Sequence, residues 1–338
     1  MKKKAIIAII LTILVFFGLL FTIPISILTE NFSDYGLINE TRSFYYIPNN
    51  TNKTKELNLN IARSEVVVKY IHPPNAYAAK IDVYFEISGA NALGKSYQDY
   101  FDIVWENSSS TLNFTLAYKS GIDQLEAISL FSNISIIIKL RSDVTFNINA
   151  DIEEGNFDLL IPFMVPINNV NVNLDFGNID MNYLSCTIGG NITGKVRLGN
   201  INLVAHNIQF TRNSAWNLTI DRGDLLIDIT HDKFQYKDIG ANMTGVGEIN
   251  IGELRVLYKD YNPDIGAIFI FYNMFTPDLD YIQGFNEDHE VDVDQWWLSR
   301  YLFYSFDFPG LNYYNISLYK LNLDAEYVYN LLNTNTTI

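Results

Sequence analysis

The densest run of reactive side chains is Glu287 to Asp294, where Asp288, Glu290, Asp292 and Asp294 recur at every second residue. In an extended chain alternate residues share one face, so the four carboxylates would line up opposite His289, Val291 and Val293. Like charges side by side repel. A hard cation such as Ca2+, with about 6–8 oxygen ligands, would relieve that repulsion. A solvated acidic loop fits the same residues, and the glycine of an EF-hand loop is missing. Trp296 and Trp297 follow directly, the first of 10 aromatics that include Tyr301, Phe303, Tyr304, Phe306, Phe308, Tyr313, Tyr314 and Tyr319. Exposed, such rings stack on sugars or anchor a protein partner; buried, they form a core.

Catalytic signatures are hard to find. No nucleophile elbow, phosphate-binding loop or H-E-x-x-H pair is present. The pairs Gly189-Gly190 and Gly245-Val-Gly247 fall short of a dinucleotide fingerprint and read as turns. His72, His206, His231 and His289 are scattered, which argues against a histidine metal site. Cys186 is the single cysteine, so no intrachain disulfide framework exists, and it reads as a small buried hydrophobe. Asp158, Asp180 and Asp228 are candidates for an outward acidic row, interrupted by Asn202 and Asn250. The expectation is a protein that is not an enzyme and has no catalytic residues, with a polysaccharide lyase or hydrolase as the alternative.

A second chemistry is modification. N-x-[ST] sequons begin at Asn31, Asn39, Asn49, Asn52, Asn107, Asn113, Asn133, Asn191, Asn217, Asn242, Asn315 and Asn335, which is 12 sites. The composition predicts about four by chance, so the excess suits N-glycosylation of an exported chain, in a host with the machinery. Asn-rich turns that happen to lie near Thr are the other explanation.

These residues need elements to carry them, and a repeat supplies the elements. Gly155, Gly177, Gly199, Gly223 and Gly247 are spaced 22, 22, 24 and 24 residues apart. The second, fourth and sixth positions after each glycine are apolar in 14 of 15 cases, from Phe157, Leu159 and Ile161 to Ile249 and Ile251; Glu253 is the exception. A period of two marks strands with one face inward. Alternating lead-ins such as Val170, Val172 and Leu174 precede the glycines, which mark corners where a side chain would clash. A fixed period of roughly 20–50 residues is the sign of stacked coils. The predicted fold is all-β: a β-solenoid, or β-helix-like, ectodomain of 22–24-residue repeats. An antiparallel sandwich with evenly spaced turns is the competing architecture.

The phrases Gly155-Asn-Phe-Asp-Leu, Gly177-Asn-Ile-Asp-Met and Gly199-Asn-Ile-Asn-Leu resemble those of the prokaryotic "putative adhesin" domain family, whose molecular function is unknown. The lead-in Ile134 to Leu140, then Val144 to Ala150, is similar to that family's approach to its repeats. The resemblance covers about 134–258, and 57–133 more weakly. It implies a short solenoid on an envelope protein, often behind a membrane anchor, and it assigns no catalytic residues.

The N-terminus agrees with export. Lys2, Lys3 and Lys4 precede an uncharged run from Ala5 to Leu28. Ala5 to Ile23 as a helix spans about 28 Å, close to the hydrocarbon thickness, and Pro24 stands where it could end. With no small-x-small cleavage site, the segment reads as an uncleaved signal-anchor. Its lysines would stay cytoplasmic and place residues 29–338 outside. Beyond residue 28 the chain keeps 20 basic and 38 acidic residues, about −18, which excludes a nucleic-acid partner. The expected organisation is an anchor at 1–28, a polar stalk at 29–56, the solenoid at 57–258 and an aromatic-rich cap at 259–338. The expected protein is single-pass and lies at the cell surface. It has no cofactor unless Ca2+ occupies the acidic run. Its partners are the membrane and surface glycans or envelope proteins, contacted by outward Asn and Asp rows and the 287–297 region.

Overall fold

The computed structural model describes residues 36–47, 54–73, 76–89, 92–121, 131–232, 240–260, 265–274, 282–283, 287–291, 298–304 and 312–320. These form an all-β protein. Its strands begin with β1 (Gly36–Tyr46), β2 (Lys55–Ile71), β3 (Ala79–Gly89), β4 (Phe101–Asn107), β5 (Thr111–Tyr118) and β6 (Phe131–Arg141). The repeat region holds β7 (Phe146–Ile161), β8 (Pro166–Ile167), β9 (Val170–Phe176), β10 (Ile179–Leu184), β11 (Thr187–Ile188) and β12 (Ile192–Leu198). It continues with β13 (Ile201–His206), β14 (Gln209–Phe210), β15 (Ser214–Arg222), β16 (Leu225–His231), β17 (Met243–Ile251) and β18 (Leu254–Asp260). The C-terminal part has β19 (Ile265–Met274), β20 (Ile282–Gln283), β21 (Glu287–Val291), β22 (Leu298–Tyr304) and β23 (Asn312–Lys320). The expected signal-anchor at 1–28 lies outside the described residues, and no described helix is long and apolar enough to cross a membrane.

The chain divides into two compact units. The smaller takes the chain up to Thr41 with Tyr84–Phe101 and Lys119–Ile134. In it Phe85 stacks on Tyr97 with ring centroids 4.5 Å apart. A one-turn 3-10 helix, Tyr97–Asp99, is held by a capping box between Ser96 and Asp99. The region 29–56, expected to be a polar stalk, contains β1, because alternation there buries Ile38 and Tyr46.

The larger unit is built on parallel ladders. In one, β5, β2, β7, β9, β12, β15, β17, β23 and β19 pair in parallel in that order, each with the next. In another, β6, β2, β7, β10, β13, β16, β18 and β20 do the same. A short third ladder joins β8, β11 and β14. The long strands β2 and β7 take part in both main ladders, whereas later repeats break at a glycine. Inward positions stack like on like: Phe157, Ile179, Ile201, Leu225 and Leu254 form one buried column. Burial of each such side chain contributes about 1.5–3 kcal/mol.

Two corner columns set the repeat length. Gly155, Gly177, Gly199, Gly223 and Gly252 have φ between 135° and 150°. The residue after each of the first four glycines accepts a hydrogen bond from the next repeat. Asn156, Asn178, Asn200 and Asp224 take the backbone N–H of Asn178 (3.0 Å), Asn200 (3.1 Å), Asp224 (2.8 Å) and Glu253 (2.9 Å). Gly247 was expected as the fifth corner, and this is corrected. It lies within β17 opposite Leu218 and Leu318, and Gly252 takes the corner instead. The last step spans 29 residues rather than 24 because extra chain is inserted between β16 and β17. The buried set that follows is therefore Leu254, Val256 and Tyr258.

The other corner places Met164, Ser185 and Asn207 at φ 61°, 51° and 51°. Their N–H groups bond Ser185 O (2.9 Å), His206 O (2.7 Å) and Thr230 O (2.8 Å). Asparagine tolerates this left-handed region, but methionine does not. Met164 is 70% exposed, so its side chain contributes little to offset the strain. Met164→Gly should therefore raise stability by about 0.5–1 kcal/mol, the strain relieved less the added unfolded-state entropy. Denaturant midpoints at equal m-value check this, and a lower midpoint for the variant would refute it.

Candidate binding face

The outward side of the first ladder carries the most organised polar surface. Leu57-Asn58-Leu59-Asn60-Ile61, Ile148-Asn149-Ala150-Asp151-Ile152 and Val170-Asn171-Val172-Asn173-Leu174 alternate apolar and polar, so burial of the apolar residues turns the others outward. Register then aligns them. Asn113, Asn58, Asn149 and Asn171 form one cross-strand row, continued by Thr193 and Asn217. Thr115, Asn60, Asp151 and Asn173 form the next, continued by Lys195 and Thr219. Neighbouring strands lie about 4.8 Å apart and alternate residues about 6.8 Å apart, so the rows make a near-regular lattice.

The first row orders itself. The Asn149 amide donates to Asn58 Oδ1 and the Asn58 amide to Asn113 Oδ1, each at 2.9 Å. Asn58 keeps one further amide hydrogen and one acceptor position. Asn60, Asn171 and Asn173 have no side-chain hydrogen bond to another described residue. Glu106 reaches the same surface from β4. Beside it Trp105 packs on Phe44, with centroids 6.1 Å apart. The turn into β5 is fixed at the Ser109 carbonyl, which accepts from buried Lys55 Nζ (2.5 Å) and from Tyr46 Oη (3.0 Å).

Together these residues bound a recess of about 410 Å3, lined by Asn58, Asn60, Glu106, Asn113, Asn149 and Asp151 among others. An adjoining recess of about 260 Å3 shares Asn60, Asp151 and Asn173 and adds Glu153 and Asp175. Leu59, Phe114 and Ala150 line it as well, so the accessible lining is about half polar, from amides, a hydroxyl and carboxylates, and about half apolar.

The second ladder carries the acids considered for catalysis. Asp158, Asp180 and Asn202 stand in one row, and the Asn202 amide donates to Asp180 Oδ1 at 2.5 Å. Burial raises the Asp158 carboxyl, and the charges of Asp180 and Glu65 raise it further. Asp228 does not belong to that row, which corrects the expectation. It pairs with Val204 and Leu257, one alternation further along the strand. Asn250 lies on β17 of the first ladder, where its amide donates to Asp221 (3.1 Å).

Asp288 and Glu290 occupy alternate positions of β21, opposite Phe303 and Tyr301 of antiparallel β22. Asp292, Asp294, Trp296 and Trp297 lie outside the described residues. Among the described residues, no three His, Cys, Asp or Glu converge as ligands to a metal. Tyr314 is fully buried, among Phe210, Trp216, His231 and Tyr258, whereas Tyr319 is 37% exposed. Cys186 is buried, and burial pushes its thiol up to about 12, so it is inert at neutral pH. Of the sequons, Asn39, Asn107, Asn133, Asn191 and Asn217 are exposed, and Asn113, Asn242 and Asn315 are half-buried. Asn31, Asn49, Asn52 and Asn335 lie outside the described residues.

Of the outward row expected from the sequence, Asp158, Asp180 and Asn202 lie on the second ladder, and the amide lattice of the first was not foreseen. Its signal is the Asn-x-Asn or Asn-x-Asp phrase in three strands, at 58–60, 149–151 and 171–173. No protein-family model matches the chain, and no curated protein matches it either. Among solved structures, the crystal structure of a putative cell adhesion protein from Clostridium sporogenes matches 83% of this chain and 95% of that one. The identity is 10% and the TM-score is 0.34.

Proposed function

We propose that this chain is a cell-surface protein held by an N-terminal membrane anchor, with a β-solenoid ectodomain that serves a non-enzymatic role. That role is structural, or the binding of surface glycans or envelope proteins. The observation that carries the reading is the pair of parallel ladders whose corners repeat as a glycine column and an asparagine column. Such stacking presents long regular outer faces, which suit extended partners.

The solenoid reading is tested by deletion. Removing residues 178–199, one whole coil, joins Gly177 to Asn200 and keeps every face in register. The deletion should retain a cooperative transition, whereas removal of 178–188 should abolish it, because half a coil brings the wrong faces together. Loss of cooperativity in the whole-coil deletion would refute the solenoid. Surface display is tested on intact cells with a membrane-impermeant amine reagent. Labelling of the full chain is expected, and protection from the reagent until the cells are lysed would refute the location.

A second reading, a polysaccharide lyase or hydrolase on the same scaffold, is supported by the raised carboxyl of Asp158 beside Asp180. It requires reducing ends released from a polysaccharide and lost in Asp158→Asn. Full activity in that variant would dismiss the pair.

A further inference from the structure

We infer that the amide-lined recess on the first ladder is a binding site for an uncharged, hydroxyl-rich polymer, that is, a neutral glycan chain lying across the strands. The inference rests on the surface-binding reading above and assigns that binding to one place. Three observations carry it.

The first is composition. A sugar hydroxyl both donates and accepts, and the recess offers both. Asn58, Asn60, Asn113 and Asn149 supply carboxamides, Thr115 supplies a hydroxyl, and Glu106 and Asp151 supply acceptors. The second is order. The bonds Asn149 to Asn58 and Asn58 to Asn113 fix three side chains before any ligand arrives, so little rotamer entropy remains to be lost on binding. The backbone beneath them is held by the parallel ladder on both sides.

The third is charge and shape. Glu106 and Asp151 in the larger recess, and Glu153 and Asp175 in the smaller, are its charged residues; neither recess is lined by Lys or Arg. Nearby cations include Arg197, paired with Asp175 at 3.5 Å, Arg63, paired with Glu154 at 3.3 Å, and Lys195, in register beside Asn173. A phosphorylated, sulfated or uronic-acid polymer would therefore meet net repulsion. The two recesses share Asn60, Asp151 and Asn173, so they continue into one another and suit a chain rather than a compact molecule. A volume of about 410 Å3 is within the range of small-molecule sites and would seat a few sugar rings.

The test is affinity electrophoresis of the full chain in gels containing a neutral glucan, a mannan or a galactan, with alginate as the acidic control. Retardation by at least one neutral polymer and none by alginate is expected. The variant Asn149→Ala/Asn171→Ala/Asn173→Ala should weaken the retardation at least 10-fold, while Asn182→Ala/Asn202→Ala on the second ladder should leave it unchanged. Equal melting midpoints establish that the variants are folded. Asn173→Arg, which fills the junction of the two recesses and removes no lattice bond, gives a second arm. Retardation that survives both first-ladder variants would overturn this site and leave surface binding standing. No retardation of the parent chain by any neutral polymer, or retardation by alginate alone, would overturn the glycan inference. Labelling on intact cells judges the surface reading independently.

Discussion

Gly199→Ala should destabilise the larger unit by about 3–5 kcal/mol, among the largest losses a single methyl can cause. Two effects combine. The φ of 142° at Gly199 is one that residues with a side chain rarely adopt. A Cβ built there would also collide with the carbonyl oxygen of Gly177 in the preceding repeat. Neither partner can yield cheaply. Gly177 N–H is bonded to Leu198 O at 2.9 Å and Gly199 N–H to Arg222 O at 2.9 Å, so a shift at one corner strains the repeats on both sides. Asn200, one residue on, accepts from the Asp224 backbone and donates its own N–H to Asn178 Oδ1, so the asparagine column would be displaced with it. Gly94, in the smaller unit, is the comparison position. Its φ is 71°, but nothing lies within 4 Å of a Cβ there. Gly94→Ala should cost about 1 kcal/mol, from handedness alone. Equilibrium denaturation of both variants separates the two contributions. Equal losses at the two positions would remove the collision from the account.

The same column shows what could be read from the residues and what could not. Gly155, Gly177, Gly199 and Gly223 were legible because a glycine followed by alternating apolar residues is a local signal that recurs at each of them. The fifth corner was misassigned to Gly247 because the spacing of 24 was extrapolated across an insertion. Gly252-Glu-Leu-Arg-Val carries the same phrase, five residues later. The acid rows failed for a related reason. Asp158 and Asp180 are each three residues past their glycines, whereas Asp228 is five past Gly223, so it belongs to a different row of the same face.

The binding face was harder. Its inward and outward assignment follows from alternation, but the row Asn113, Asn58, Asn149 exists only because β2 lies between β5 and β7. Those partners are 55 and 91 residues away in the chain. Pairing at that distance is decided by which apolar columns match, not by anything local to the asparagines. The aromatic run that includes Tyr314 left exposed and buried readings open, and Tyr314 is buried. Its contact with His231, 83 residues distant, was not anticipated.

The burial of His231 should make the protein lose stability in mild acid, by about 3 kcal/mol as the pH falls from 6.5 to 4. His231 is 1% exposed, and its Nε2 lies 2.6 Å from Tyr314 Oη. Burial lowers its pKa to about 4, an effect that Asp232 opposes and His206 reinforces. The neutral ring is therefore the folded form, and the depressed pKa means stability that is fully present above about 6.5, the unfolded value. As the pH falls, the unfolded chain takes up a proton that the folded chain refuses, and the contribution is gone near pH 4. At about 1.4 kcal/mol per unit, the difference between 6.5 and about 4 gives the expected loss. Carboxylates titrate in the same window, so the prediction is a difference between two proteins. His231→Phe keeps a ring against Tyr314, itself packed among Phe210, Trp216 and Tyr258, and cannot take up a proton. It should be less stable than the parent at pH 7.5 by about 1 kcal/mol for the lost hydrogen bond. The gap should close and then reverse by pH 4.5. Tyr314→Phe, which keeps the imidazole buried, should preserve the parent's steeper acid limb. Denaturant unfolding at pH 7.5, 6.0, 5.0 and 4.5 measures all three. Parallel pH profiles for the parent and His231→Phe would mean that the imidazole is already solvated in the folded protein, and the burial of this aromatic cluster would have to be abandoned with it.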